Sequence, residues 1–173
     1  MLSDFETSRL RVADWSPHVR GGVVPDWLNT ALVRMLTPDV LKHLPPPLQL
    51  SGGPDQIAEW VQRQSQDGMT FLILDRASGA VLGLLITASF EDGQGGIDTH
   101  IGYLFDEQAW GQGFATELLL GFVAAVPAGR RVRLIGGVGL DNPGSARVLQ
   151  KAGFRRDAAM SSSDTDMFVL QVR

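Results

Sequence analysis

Ile101-Gly102-Tyr103-Leu104-Phe105-Asp106-Glu107-Gln108-Ala109-Trp110-Gly111-Gln112-Gly113-Phe114-Ala115-Thr116-Glu117-Leu118-Leu119 decides the reading of this chain. An apolar stretch suited to a strand runs into a short acidic loop, and a Gly-x-Gly turn then opens a helix-forming segment. The first N–H groups of such a helix have no intrahelical partner and sit at the positive end of its dipole. The junction therefore suits an anion such as a pyrophosphate.

The segments around it organise one domain. Residues 8 to 14 alternate weakly and read as a first strand, while 26 to 37 and 54 to 67 carry helical spacing. Between the two helices, Leu44-Pro45-Pro46-Pro47-Leu48 is expected to be extended. Residues 70 to 76 and 81 to 89 read as a hairpin, and a third strand covers 97 to 105 after the loop Glu91 to Gly96. A helix at 113 to 126 then leads to a strand at 131 to 138, a unit whose two strands should be parallel. A helix at 143 to 152 and a strand at 165 to 172 complete the set.

At 173 residues the chain fits a single domain spanning 1–173 with a sizeable core. Its 44% hydrophobic and 20% charged residues are a globular composition, and no apolar run is long enough to span a bilayer. No membrane partner is expected. The absence of cysteine excludes disulfides, thiolate metal sites and a cysteine nucleophile, which agrees with a reducing compartment. With no secretory pattern at the start, the expected location is cytoplasmic. A net charge of −4 argues against a nucleic-acid surface, so an anionic ligand must be held locally by backbone amides and a few arginines.

Gly-x-Gly by itself is weak, because such glycines also serve purely structural turns. A dinucleotide-binding unit would want a small third residue where Thr116 stands and an acid at the end of the next strand, which instead reads Ile135-Gly136-Gly137-Val138. A triphosphate-binding loop would need Gly-Lys followed by Ser or Thr, and none occurs. A second constellation, Asp141-Asn142-Pro143-Gly144-Ser145 through Gly153-Phe154, reads alone as a helix capped by Asn142 and stopped by Gly153.

Taken in order, the strand, the Gly-x-Gly helix start, the second strand and the Asn-led helix ending in Gly-Phe resemble the GCN5-related N-acetyltransferase (GNAT) superfamily over most of residues 5 to 156. The run Glu6-Thr7-Ser8-Arg9-Leu10-Arg11 and the run Trp110 to Glu117 look most like its ribosomal-protein alanine N-acetyltransferase branch. The resemblance implies an α/β fold with a mixed, mostly antiparallel sheet flanked by helices. It also implies a splayed parallel strand pair at the coenzyme site.

The implied activity is acetyl transfer from acetyl-CoA to a primary amine by direct attack, without a metal. The backbone amides of Gly111, Gln112, Gly113, Phe114, Ala115 and Thr116 would hold the pyrophosphate. Leu104, Phe105 and Asp106 would offer backbone groups to the pantetheine arm, and Asn142 would contact the same arm. Many members place a tyrosine on the last helix as general acid, where Leu149 stands here; in the branch this chain resembles that tyrosine is commonly absent and the serine matching Ser145 lies near the leaving sulfur, which implies a thiolate-stabilising role for Ser145, a plain helix-surface residue being the alternative. Tyr103 is the only tyrosine in the chain.

Asp98 and His100 are the base candidates, because residues two apart on a strand share a face and histidine titrates near neutrality. Exposed polar residues on a half-solvated strand are the alternative. Neutralising a lysine at pH 7 costs about 4.6 kcal/mol from its reference pKa, against about 1 for an α-amino group, so a lightly equipped site favours an N-terminal or small-molecule amine. Arg130, Arg131 and Arg133 are read either as phosphate contacts or as solvated charges. Trp27, Trp60 and Phe90 are acceptor-side candidates, with Trp60 read as core. The rivals are a catalytically silent acyl-CoA sensor and an antibiotic-modifying acetyltransferase; a homodimeric assembly stays open.

Overall fold

The computed structural model describes residues 3–50 and 52–172. Thirteen elements follow one another: β1 (Phe5–Glu6), β2 (Leu10–Asp14), α1 (Asp26–Met35), α2 (Pro38–Leu41), α3 (Ile57–Asp67), β3 (Met69–Asp75), β4 (Val81–Glu91), β5 (Ile97–Phe105), α4 (Phe114–Ala125), β6 (Val132–Gly139), α5 (Pro143–Lys151), β7 (Arg155–Asp157) and β8 (Thr165–Val172). The strands form one sheet in the order β1-β2-β3-β4-β5-β6-β8-β7. Every neighbouring pair is antiparallel except β5 and β6, the pair joined through α4.

Two apolar clusters, one on each face of the sheet, fix the layers. Leu28, Leu32 and Met35 of α1 and Ile57, Trp60 and Val61 of α3 pack with Leu72, Leu84 and Leu104 of the strands. Trp15 meets Trp60 edge to face at 6.2 Å. On the other face Phe114, Leu118, Leu119 and Phe122 of α4 and Leu149 of α5 cover Phe71, Leu85, Ile101 and Leu134. Along β5 the side chains alternate between these clusters, Ile101 and Phe105 to the second and Leu104 to the first. Residues of one strand thus reach both sides of the sheet.

Local chemistry explains where the elements differ from the sequence reading. The helix expected over 26 to 37 stops at Met35, because Pro38 forces Thr37 into extended backbone (φ −76°, ψ 161°). Thr37 then caps α2, accepting from the Val40 N–H. The strand expected over 8 to 14 begins at Leu10, because Thr7 and Leu10 bond each other in a turn that folds the additional strand β1 back onto β2. The stretch at 44 to 48, expected to be extended, instead winds into a 3₁₀ turn over Pro46–Leu48. A proline φ suits either geometry, and two donors from α3 decide it: Trp60 Nε1 bonds the Leu48 carbonyl at 3.1 Å and Gln64 Nε2 the Pro47 carbonyl at 3.0 Å. This segment becomes a strap fastened to α3. The three-residue β7 is too short to show alternation in sequence.

At Gly83 on β4 an added Cβ would lie 2.3 Å from the Leu104 carbonyl oxygen of β5 and 3.2 Å from Ile73 Cδ1. Neither the ladder carbonyl nor the packed core can move away freely. Gly83→Ala is expected to destabilise the fold by about 1–3 kcal/mol, read as a lowered midpoint in urea unfolding.

Candidate functional site

β5 and β6 run together only from Ile97 with Val132 to His100 with Ile135. Beyond that point β5 stays with β4 as far as Gly83 with Phe105, while β6 stays with β8 as far as Gly139 with Thr165. Each strand follows its outer neighbour, and the inner edges part. Leu149 fills the floor on the α5 side, close enough that a Cβ on Gly136 would meet it at 3.2 Å.

Strand alternation determines which backbone groups face the gap. The Ile97 N–H donates toward β6, to the Arg131 carbonyl at 2.9 Å, whereas the Asp106 N–H donates toward β4, to the Leu82 carbonyl at 2.8 Å. Odd-numbered residues of β5 therefore point their N–H and C=O groups at β6, and even-numbered ones at β4. The expectation that Leu104 and Asp106 offer free backbone groups is corrected on this ground: Leu104 and the Asp106 N–H are committed to the β4 side, and the Asp106 carbonyl accepts from the Ala109 N–H at 2.9 Å. The groups facing the gap belong to Tyr103 and Phe105. The Phe105 carbonyl already accepts from Trp110 Nε1 at 2.9 Å, which leaves its N–H.

The Asp106 side chain is structural as well. Its carboxylate caps the short turn Glu107–Ala109, accepting from the Gln108 N–H at 3.0 Å, and takes a 2.6 Å ion pair from Arg34 of α1. Thr37 bonds Glu107 beside it. These contacts hold the loop that delivers the chain to α4.

Gly111 (φ +72°) and Gly113 (φ +80°) both take the left-handed backbone that disfavours a side chain. Gly113 is the N-cap of α4 and supplies no side-chain cap; the first helical bond runs from the Glu117 N–H to the Gly113 carbonyl at 3.1 Å. The N–H groups of Phe114, Ala115 and Thr116 thus have no helical acceptor, and they surround the positive end of the helix dipole. Arg9 buttresses this turn. It bonds the Gln112 carbonyl at 3.1 Å, lies 4.3 Å from the Phe114 ring centre and pairs with Glu117 at 2.7 Å. Burial raises the Glu117 carboxyl, but bonds from Thr7 and Arg9 outweigh it and hold the group below its ordinary value.

α5 starts differently. Asn142 Oδ1 accepts from the Ser145 N–H at 3.1 Å, so the Asn142 amide nitrogen is the part left to meet a ligand. Ser145 Oγ lies 2.8 Å from the Tyr103 hydroxyl. Burial pushes the Tyr103 phenol above its ordinary pKa, with the Ser145 bond acting against it. Leu149 is core, at 1% exposure.

A cavity of about 1140 Å³ joins these parts, lined by Tyr103 and Trp110 to Ala115 (Gln112 aside), Asn142, Ser145, His100 and the strap. The volume is large enough for a long, bent ligand. His43, just ahead of the strap, lines it too, with Nδ1 3.5 Å from Asp141 Oδ2 across the opening. His43 carries no periodicity or motif in the sequence, and the chain's path into the strap brings it to Asp141, which precedes the Asn142 cap of α5.

His100 and Asp98 share a face of β5 but have different surroundings. His100 lines the cavity and meets Phe90 edge to face at 6.1 Å. Asp98 is paired side by side with Arg133, its neighbour in register on β6. The Arg133 guanidinium holds the Asp98 carboxyl below its ordinary value, which opposes a proton-accepting role near neutrality. All three arginines are engaged, Arg130 with Glu91, Arg131 with Asp92 and Arg133 with Asp98. Trp60 is buried in the core, and Trp27 meets His18 edge to face at 5.2 Å, outside the cavity.

The sequence model of the acetyltransferase (GNAT) domain matches residues 25–155, and the chain belongs to that family. No curated protein matches it. Among solved structures it is similar to the ribosomal-protein alpha-N-acetyltransferase RimL in complex with coenzyme A, at 19% identity and TM-score 0.72, covering 98% of both chains. An acetyltransferase from Salmonella typhimurium that modifies an N-terminal serine of a ribosomal subunit protein gives 18% identity and TM-score 0.68 over 96% of this chain and 97% of that one. Spermidine N-acetyltransferase from Vibrio cholerae, in complex with CoA and spermine, gives 12% identity and TM-score 0.68 over 95% and 96%. Among the described residues no helix is long and apolar enough to cross a membrane.

The Asp98–Arg133 pair carries a pH signature. Because the folded-state pKa of Asp98 is depressed, its contribution is present above the ordinary carboxylate range and is lost as pH falls through the folded value. Asp98→Asn is expected to cost about 0.5–1 kcal/mol at pH 7. In urea melts the gap from the wild type should close below about pH 4.

Proposed function

We propose that the protein is an acetyl-CoA-dependent N-acetyltransferase that modifies a primary amine, either a peptide N-terminus or a small molecule, in the cytoplasm. One observation carries the reading. An uncapped helix terminus, a parted strand pair and a histidine-bearing recess open into a single cavity. Its coenzyme-bound and amine-modifying structural neighbours support the same reading.

The acyl-donor substrate supplies an activated thioester, and this chain's residues bind and orient it. The N–H groups from Gly111 to Thr116 receive the pyrophosphate. Tyr103 N–H and C=O and the Phe105 N–H, left without a β6 partner, pair with the pantetheine amides. The Asn142 amide nitrogen is placed for a further bond to that arm. His100, on the open side, takes the proton of the attacking amine, and Ser145 at the α5 terminus faces the sulfur. The helix dipole of α5 favours the negative charge that develops there. Attack is direct, so no covalent enzyme adduct forms.

The test is thiol release from acetyl-CoA against a panel of ribosomal-protein N-terminal peptides, polyamines and aminoglycosides. Release with at least one class is expected, and coenzyme binding without release across the panel would support a silent sensor instead. Gly113→Asp, which puts a side chain and a negative charge into a φ +80° turn, is expected to abolish coenzyme A binding in calorimetry. Retained affinity would remove the pyrophosphate assignment. His100→Ala should lower the rate by about 10²-fold and flatten the pH–rate profile, with coenzyme affinity unchanged.

A further inference from the structure

Tyr103 follows the last paired residues of β5 by three positions, and its side chain packs toward α5 while its hydroxyl meets Ser145 Oγ at 2.8 Å. Each hydroxyl has one proton to give, and among the described residues each finds its one side-chain partner in the other. Tyr103 is half-buried, and that burial raises its phenol above the ordinary value. With substrate filling the cavity, Ser145 Oγ is the acceptor left to it. The reverse direction would strand the buried phenolic proton without a partner, at the cost that unsatisfied donors carry. With Tyr103 donating and Ser145 accepting, the serine proton is free to turn into the cavity.

Ser145 is also the third residue of α5, with its own N–H capped by Asn142. The hydroxyl thus stands at the positive end of a helix, held from behind by a phenol. Leu149, deep in the core, offers no hydroxyl from further along the same helix.

We propose that Tyr103 is a positioning residue that fixes the Ser145 hydroxyl as a hydrogen-bond donor to the departing coenzyme thiolate. The inference rests on the acetyl-transfer reading. In the step itself the amine nitrogen forms the new C–N bond, the C–S bond breaks, and its electron pair goes to sulfur. The ammonium proton leaves by way of His100 to water. Neither Tyr103 nor Ser145 gives up a proton; the thiolate is stabilised by a bond from Ser145 and protonated by solvent on release.

The experiment is a double-mutant cycle of Tyr103→Phe and Ser145→Ala with two readouts. The first is the acidity of the thiol of coenzyme A bound to each protein, followed by thiolate ultraviolet absorption across pH. The second is single-turnover acetyl transfer. Asp39, Lys42 and His43 ahead of the strap, Asp67 of α3, His100 of β5, Asp141 before α5 and Lys151 at its end line the same cavity and are common to all variants, so their fields cancel in the comparison.

Tyr103→Phe retains the ring and is expected to fold, which thermal unfolding checks. It should make the bound thiol less acidic and slow transfer about tenfold, with little change in coenzyme affinity. In the Ser145→Ala background it should do nothing further. Losses that multiply would overturn the proposal, as would wild-type thiol acidity in Tyr103→Phe. A wild type that binds coenzyme A but transfers acetyl to no amine would instead overturn the acetyl-transfer reading, whereas active wild type with an indistinguishable Tyr103→Phe would overturn this inference alone.

Discussion

Everything at the site depends on β5 and β6 parting after His100 and Ile135. A parallel pair buried between helices ordinarily continues, because each unpaired N–H and C=O inside a protein costs free energy. Here both strands keep full ladders on their outer sides, β5 with β4 and β6 with β8, so only the inner edge is left open. That edge is a row of backbone donors and acceptors matched to a ligand that carries amides of its own. The opening lies directly upstream of the Gly111–Gly113 turn, so an extended ligand bound along the gap meets the uncapped α4 terminus at one end.

The same parting joins the two faces of the sheet. On one face lie α4 and α5 with Tyr103 and Ser145; on the other lie the strap, α3 and His100. A donor bound between the strands thus presents its reactive end where an acceptor can approach from the strap side. The strap is held in place by Trp60 and Gln64 from α3, and Leu48 sits over Gly102, where an added Cβ would touch it at 3.2 Å. On the strap side the cavity is also lined by His43, Asp67 and Asp141.

Much of this was legible in the sequence because it rests on local rules. The α4 start follows from glycines at a strand-to-helix turn, and the α5 start from Asn142 before Pro143. The parallel pairing of β5 and β6 follows from the intervening helix. What the sequence left open depends on register. Residues alternate in backbone direction as strictly as in side-chain direction, yet which parity faces which neighbour is set by hydrogen bonds such as Asp106 to Leu82 and Ile97 to Arg131. Of the expected Leu104, Phe105 and Asp106, that register leaves only Phe105 facing the gap, and it adds Tyr103. The strap was misread for a similar reason: three prolines fix φ, but the donors that choose between extended and 3₁₀ geometry come from α3.

Amide hydrogen exchange, resolved by residue with and without coenzyme A, tests the central claim most directly. The account predicts new protection at Tyr103, Phe105 and Phe114 to Thr116 on binding, with Leu104 and Asp106 unchanged because their N–H groups already point to β4. Protection gained at Leu104 and Asp106 instead, or at none of these amides, would contradict it.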